Sequence, residues 1–163
     1  MKKTLIVLGF LCCLPVFSQG PQLEEDYQAI EEKVVQWRRD IHQNPELSNR
    51  EFKTAEKIAK HLKSLGLEVQ TGVAHTGVVG ILKGDQSGKV VALRADIDAL
   101  PVTERNDLPF KSTVTSEFLG KKVGVMHACG HDTHTAILMG VAEVLSKNTV
   151  SYTHLTLPTT SRV

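Results

Sequence analysis

The apolar positions of this chain change period along its length, and each change marks an element. Over residues 23–41 they fall at Leu23, Tyr27, Ile30, Val34, Trp37 and Ile41. Steps of four and three put them on one stripe of an amphipathic helix. Glu24, Glu25 and Asp26 stand near the end where a helix carries its partial positive charge. His42-Gln-Asn-Pro45 breaks the stripe. A second helix is expected from Ser48 to Leu65. Ser48 and Glu51 have capping-box spacing, while Phe52, Ala55, Ile58, Ala59, Leu62 and Leu65 form the inner face. Gly66 is a natural stop.

Beyond Gly66 the runs become short and β-branched. Residues 67–70, 78–82 and 89–94 read as strands, punctuated by Gly77 and the turn 84–88. Val90-Val91-Ala92-Leu93 is apolar without alternation, which suits a central strand covered on both faces. Residues 123–126 offer another short strand. Residues 135–145 are apolar nearly all round and predict a buried helix. Helices flanking buried strands make an α/β layered domain.

The two ends depart from this pattern. Lys2 and Lys3 precede an apolar run over residues 5–17, too short for a comfortable membrane span. Val16 and Ser18 are small enough for a signal-peptidase site before Gln19, so residues 1–18 are expected to be a signal peptide and the protein to be exported, periplasmic or secreted. Cys12 and Cys13 would leave with it, and the mature chain would keep only Cys129. In an oxidising compartment that residue has no internal disulfide partner. At the other end, residues 150–163 are threonine-rich, lack acids and follow an unfinished helix. They resemble translated adapter read-through. Residues 149–163 are therefore expected to be a non-native tail, with the domain proper at 19–148; a native edge strand is the alternative.

Composition narrows the field only a little. The 163 residues suffice for one domain, and 41% hydrophobic with 23% charged residues is ordinary for a soluble globular protein. A net charge of +1 gives no argument for a nucleic-acid or acidic-membrane partner.

Chemistry concentrates in one place. Within the eight residues from His127 to His134 stand three histidines, Cys129 and Asp132. Imidazole and thiolate are preferred ligands of zinc and similar divalent ions. Cys129 and His131 are separated by Gly130, which permits an irregular loop turning both toward one centre. Asp132 could orient a histidine through its second nitrogen. Taken singly, a cysteine is usually core and a histidine usually a surface or hydrogen-bonded group. The density of the cluster is what favours a metal. A histidine-activated thiol nucleophile is the rival chemistry, and a small metal-binding module without catalysis is a third reading. A second constellation, Leu93-Arg94-Ala-Asp96-Ile-Asp98-Ala-Leu-Pro101, sets two carboxylates after the end of a strand. Sites of α/β sheets assemble there, although an acidic turn capping the strand is the plainer explanation for either residue alone.

Three segments together carry a resemblance: His42-Gln-Asn-Pro45-Glu46-Leu47, Arg94-Ala-Asp-Ile-Asp-Ala-Leu-Pro101 and Gly124-Val-Met-His-Ala-Cys-Gly-His-Asp-Thr-His134. In this order, over roughly residues 26–148, the chain resembles the amidohydrolase branch of the dinuclear metallopeptidases, which includes hippurate hydrolases, N-acyl-amino-acid amidohydrolases and indoleacetyl-amino-acid hydrolases. The resemblance implies a zinc-peptidase-like α/β catalytic domain interrupted by a lid or dimerisation domain, and possession of two divalent metals, manganese, zinc or nickel. It implies that Cys129 and His131 are metal ligands and that Asp98 is the supporting aspartate. Asp96 stands where other branches have a ligand histidine. It implies hydrolysis of N-acyl amino acids or related amides, with a general-base glutamate from a Gln-Pro-Ala-Glu-Glu stretch. That stretch, the later glutamate and histidine ligands and the lid do not occur in this sequence. The chain is thus expected to be an incomplete and inactive fragment of an enzyme whose full-length form could be a homo-oligomer, with no membrane association after signal cleavage.

Overall fold

The computed structural model describes residues 24–84 and 89–148, together with the backbone alone of 20–23 and 154–159. The expected signal peptide and residues 85–88 of the expected turn lie outside the described residues. Helix α1 (Gly20–Gln43) follows the predicted stripe: Ile30 and Ile41 are buried, Val34 and Trp37 half-buried, and Tyr27 largely exposed. It begins before Leu23, so the acidic trio lies beyond the first turn rather than at its charged end. It also runs through His42, which the last turn carries into the interior.

Helix α2 (Phe52–Ser64) starts later than expected, and for a specific reason. The N-cap position is Glu51 rather than Ser48, and it makes no side-chain cap hydrogen bond. Glu46 instead folds back from the preceding turn, and its carboxylate accepts hydrogen bonds from the amides of Lys53 and Thr54, at 3.2 and 2.8 Å, and from the Thr54 hydroxyl at 2.8 Å. A carboxylate there satisfies free amides and faces the positive end of the helix dipole. Glu51 turns inward, accepting from the Asn49 amide and the Thr76 hydroxyl. The inner face is Thr54, Ala55, Ile58, Ala59 and Leu62. Phe52, expected on that face, points outward and meets the edge of the His75 ring. Gly66, at φ +82°, ends the helix as expected.

Strands β1 (Glu68–Val73) and β2 (Gly77–Lys83) form an antiparallel hairpin, and α2 lies across it. Gly80 permits that approach, since a Cβ there would stand 3.0 Å from Leu62 Cδ1. Strand β3 (Val90–Ala92) belongs to the same sheet. The hairpin β4 (Thr115–Phe118) and β5 (Lys121–Gly124) is separate. Helix α3 (His131–Lys147) packs chiefly on α1, and β6 (His154–Thr159) completes the sheet in the order β1-β2-β6-β3.

Two features differ from the reading of the apolar runs. β3 is at the edge of the described sheet, not its centre, and Val90 and Val91 are 63% and 53% exposed. The helices cover the β1–β2 side, and β3 is flanked by β6 alone, which leaves its faces open. The backbone of β6 comes from the segment expected to be a tail. It is antiparallel to β2 from Val78↔Thr159 to Lys83↔His154 and parallel to β3.

The main core joins Ile41, Ile58, Leu62, Val78, Ile97 and Met139. Ile97 matters most for the site. It is fully buried and belongs to the irregular stretch leaving β3, where Ala95 and Ala99 are also buried. In an extended stretch alternate residues share a face, so anchoring 95, 97 and 99 in the core holds Asp96 and Asp98 in fixed positions.

Candidate metal centre

Three segments distant in sequence meet at the N-terminus of α3. The strand-end segment is held on both sides: the Ala99 amide donates to the Glu46 carbonyl at 2.7 Å, and Leu100 and Met126 exchange amide–carbonyl bonds at 3.0 and 3.1 Å. The His42–Leu47 motif, the Asp96–Leu100 motif and the loop containing Cys129 are thereby stitched together by backbone hydrogen bonds.

The loop turns into α3 at Gly130, whose φ of +78° is the left-handed conformation that glycine adopts without a Cβ penalty. His131 and His134 then stand one turn apart on the same helix face, their rings 5.6 Å apart and inclined by 29°. Thr135 fastens the helix to the strand-end segment, its hydroxyl lying 3.0 Å from the Asp96 carbonyl and 2.9 Å from the His131 carbonyl.

His131 is oriented by Asp98. Its Nδ1 is 2.9 Å from the Asp98 carboxylate and 3.0 Å from the Asp98 carbonyl, two acceptors that require Nδ1 to carry the proton. The lone pair is left on Nε2. That atom stands 4.0 Å from Asp96 Oδ2, as does Nδ1 of His134. Asp96 Oδ1 is engaged by Arg94. Ligand atoms of Asp96, His131 and His134 all lie within 4.8 Å of one another. Cys129 is exposed and outside that grouping.

Behind the loop lies a buried polar layer. His42 Nδ1 is 2.8 Å from Asp132 Oδ2 and its Nε2 is 2.9 Å from Glu104 Oε1, while Arg38 Nε lies 2.8 Å from the same Asp132 oxygen. Burial works against charge on Glu104, but hydrogen bonds from His42, the Ser112 amide and Asn106 outweigh it and hold its pKa below the usual carboxylate value. His127 faces His42 at 6.4 Å between ring centroids and is buried; burial lowers its pKa to about 4, against the pull of Asp132. Both of its ring nitrogens, and Asp132 Oδ1, lack a hydrogen-bond partner among the described residues. Buried polar atoms are rarely left so, and their clustering beneath the loop marks the region as built for something besides packing.

The donor set fits a divalent cation: two imidazoles and a carboxylate converge, one imidazole has its tautomer fixed by an outer carboxylate, and a thiol lies on the adjoining loop. Of the residues named from sequence, His131 and Asp98 are joined directly, and Cys129 sits two positions away on the exposed loop. Asp132, expected to orient a histidine of the cluster, instead holds His42. Sequence reading missed the Arg38 and Glu104 partners, which carry no local signal, and the convergence of Asp96 with His134.

Residues 92–157 match the model of Peptidase family M20/M25/M40. The chain is 52% identical over 128 residues to thermostable carboxypeptidase 2 of Saccharolobus solfataricus, covering 78% of this chain and 30% of that protein. It is 47% identical over 114 residues to N-acyl-L-amino acid amidohydrolase of Geobacillus stearothermophilus, covering 70% and 29%. A solved dinuclear metal binding peptidase of the M20 family from Bacillus subtilis superposes with TM-score 0.72 at 38% identity, over 81% of this chain and 35% of that one. The chain therefore spans about 30% of the length of the curated relatives it matches. On its motifs, its fold and these matches, the chain is similar to members of Peptidase family M20/M25/M40.

Proposed function

We propose that the protein of which this chain is a part hydrolyses amide bonds of N-acyl amino acids or of short peptides at the carboxyl end, using two divalent metal ions. The observation that carries the reading is the orientation of His131 by Asp98, which presents an unprotonated Nε2 beside Asp96 and His134. A carboxylate–histidine pair of this kind is the usual outer support of a metal ligand. His131 and, on the family pattern, Cys129 would hold metal here, with Asp98 as support. Bound metal supplies a polarised amide carbonyl and a water of lowered pKa. Asp98 keeps the His131 proton on Nδ1, and the His42 layer keeps the loop in register beneath it. A nitrogen, oxygen and thiolate donor set suits zinc, and manganese or nickel are the alternatives to test.

The test is turnover by the longer protein on N-acyl amino acids and on dipeptides, with and without chelator. Chelator-abolished activity restored by a divalent ion is expected. Hydrolysis insensitive to chelator overturns the metal mechanism, and loss of activity in Cys129→Ser with metal content retained favours a thiol nucleophile.

Export is part of the same proposal. Lys2, Lys3 and the apolar run to Phe17 support a signal peptide cleaved before Gln19. N-terminal sequencing of the secreted or periplasmic product should begin at Gln19, and cytosolic retention of an uncleaved chain overturns this.

A further inference from the structure

We infer that the groove between α2 and the β1–β2 turn binds a small aryl-alkyl carboxylate, its ring against Phe52 and His75 and its anion on Lys60 and Lys63. The inference goes beyond the hydrolase reading, since no residue lining this groove belongs to the metal centre. The groove has a volume of about 570 Å³, within the range of roughly 300–1,000 Å³ usual for small-molecule sites. Its floor is Ala55 and Ala59, whose small buried side chains leave room between helix and turn. Phe52 stands at one end with 58% of its surface exposed, and the His75 ring meets it edge-on at 5.4 Å. An aromatic pair left open to water offers a ligand ring a face to cover.

Two features hold that wall in place. The Thr76 hydroxyl donates to the buried Glu51 carboxylate at 2.7 Å, which ties the turn to the residue before Phe52. Ala74 and His75 have φ of +48° and +95°, a conformation that side chains rarely adopt and that clusters at ligand sites. The charge comes from the helix. Phe52, Glu56, Lys60 and Lys63 follow one ridge of α2 at steps of four and three, all lining the groove. Among the described residues Glu56, Lys60 and Lys63 form no ion pair, so two ammonium groups border the groove against one carboxylate. That balance selects an anion. Along the axis Lys60 lies about 12 Å beyond Phe52, at roughly 1.5 Å per residue. A ring on Phe52 with a carboxylate on a short alkyl arm spans this distance once the lysine stem reaches back over it.

The test is titration of the full chain with 3-phenylpropionate, read by NMR of the histidine ring protons, with circular dichroism as the fold control. His75→Asn, which tolerates a positive φ, identifies the His75 signal by its loss. A saturable shift of that signal is expected, at one probe per chain. The amide 3-phenylpropanamide has the same body without the charge and should bind about tenfold more weakly or worse. The double variant Lys60→Gln, Lys63→Gln alters only exposed side chains and should weaken the acid by about as much while leaving the amide unmoved. An unmoved His75 signal, equal affinity for acid and amide, or an unchanged affinity in the double variant each overturns the inference. So does a probe that shifts His131 and His134 instead of His75. These outcomes leave the hydrolase reading standing, because chelator-sensitive turnover of the longer protein decides that separately.

Discussion

The Nδ1 of His131 donates to Asp98, whose carboxylate lies at 2.9 Å and whose carbonyl lies at 3.0 Å. One residue thus offers both a charged and a neutral acceptor to the same proton. The carbonyl alone would fix the tautomer, while the carboxylate adds a charged acceptor that holds the ring in place. Asp98→Asn, which keeps the shape and an acceptor oxygen, should weaken divalent-ion binding by the chain about tenfold, and Asp98→Ala by up to about a hundredfold. Competition against a chromophoric chelator measures both. Equal affinities in the parent and both variants would mean that the carbonyl does all of the orienting.

His42 has a different task, since it separates two buried carboxylates. Asp132 and Glu104 have fully buried side chains and meet opposite nitrogens of the ring. His42→Phe keeps a ring in the space but removes both ring nitrogens. Arg38 remains on Asp132, whereas Glu104 keeps only the Ser112 amide and Asn106. Leaving a buried polar group short of a hydrogen-bond partner costs about 1–3 kcal/mol, and more for a charged group, and urea unfolding of this variant should show a loss of that order. A loss below about 1 kcal/mol would mean that the carboxylates relax to water and that the layer is not structural.

His61 sets a pH dependence away from the site. It packs edge-on to Trp37 at 4.7 Å, and its Nε2 donates to the Met139 carbonyl at 3.0 Å. Burial lowers its pKa below the ordinary histidine value, against the opposing effects of that bond and of Glu143. The unfolded chain therefore binds a proton that the folded chain resists, so stability is full above about pH 6.5 and falls as pH drops from there toward the folded pKa. His61→Gln keeps an amide donor and cannot titrate. Unfolding midpoints measured from pH 7.5 to 5 should fall less steeply in this variant than in the parent. Parallel curves would exclude His61 as a contributor, and His127, lowered to about 4, would then account for the slope.

What could be read from sequence was whatever a local period or a short motif encodes. The stripe from Ile30 to Ile41 and the apolar run around Met139 and Ala142 became buried faces because a helix repeats every few residues. The Glu46 cap was not legible: its carboxylate reaches α2 across a turn, and Ser48 offered a plausible local substitute. β3 was misjudged for a related reason. Val90 and Val91 give the run of a doubly covered strand, but coverage depends on what packs against it, and α2 lies over β1 and β2. The site shows the same division. The His127–His134 cluster is contiguous, so its chemistry was visible at once, whereas Glu104 lies 62 residues from His42 and only the tertiary fold joins them.

Gly124 opens the motif that leads to the cluster, and here the need for glycine is steric. Its φ is not positive, but a Cβ would come 2.7 Å from the Thr103 Cα and 2.6 Å from its Oγ1. Gly120 is the useful contrast, with a φ of +72° and nothing within 4 Å of a Cβ. Gly120→Ala should cost about 1–2 kcal/mol through backbone conformation alone and leave metal affinity unchanged. Gly124→Ala must push the Thr103 backbone aside, and overpacking of that kind costs about 1–3 kcal/mol. Its second effect is the informative one, because Thr103 adjoins Glu104 and a shift there pulls the carboxylate away from His42. Combining Gly124→Ala with His42→Phe should therefore cost less than the sum of the two, as expected for residues that share a partner. Thr103→Ala should restore little of the loss, since the contact with the Cα persists. Full restoration by Thr103→Ala would place the clash in the side chain, and strict additivity would break the proposed link to His42.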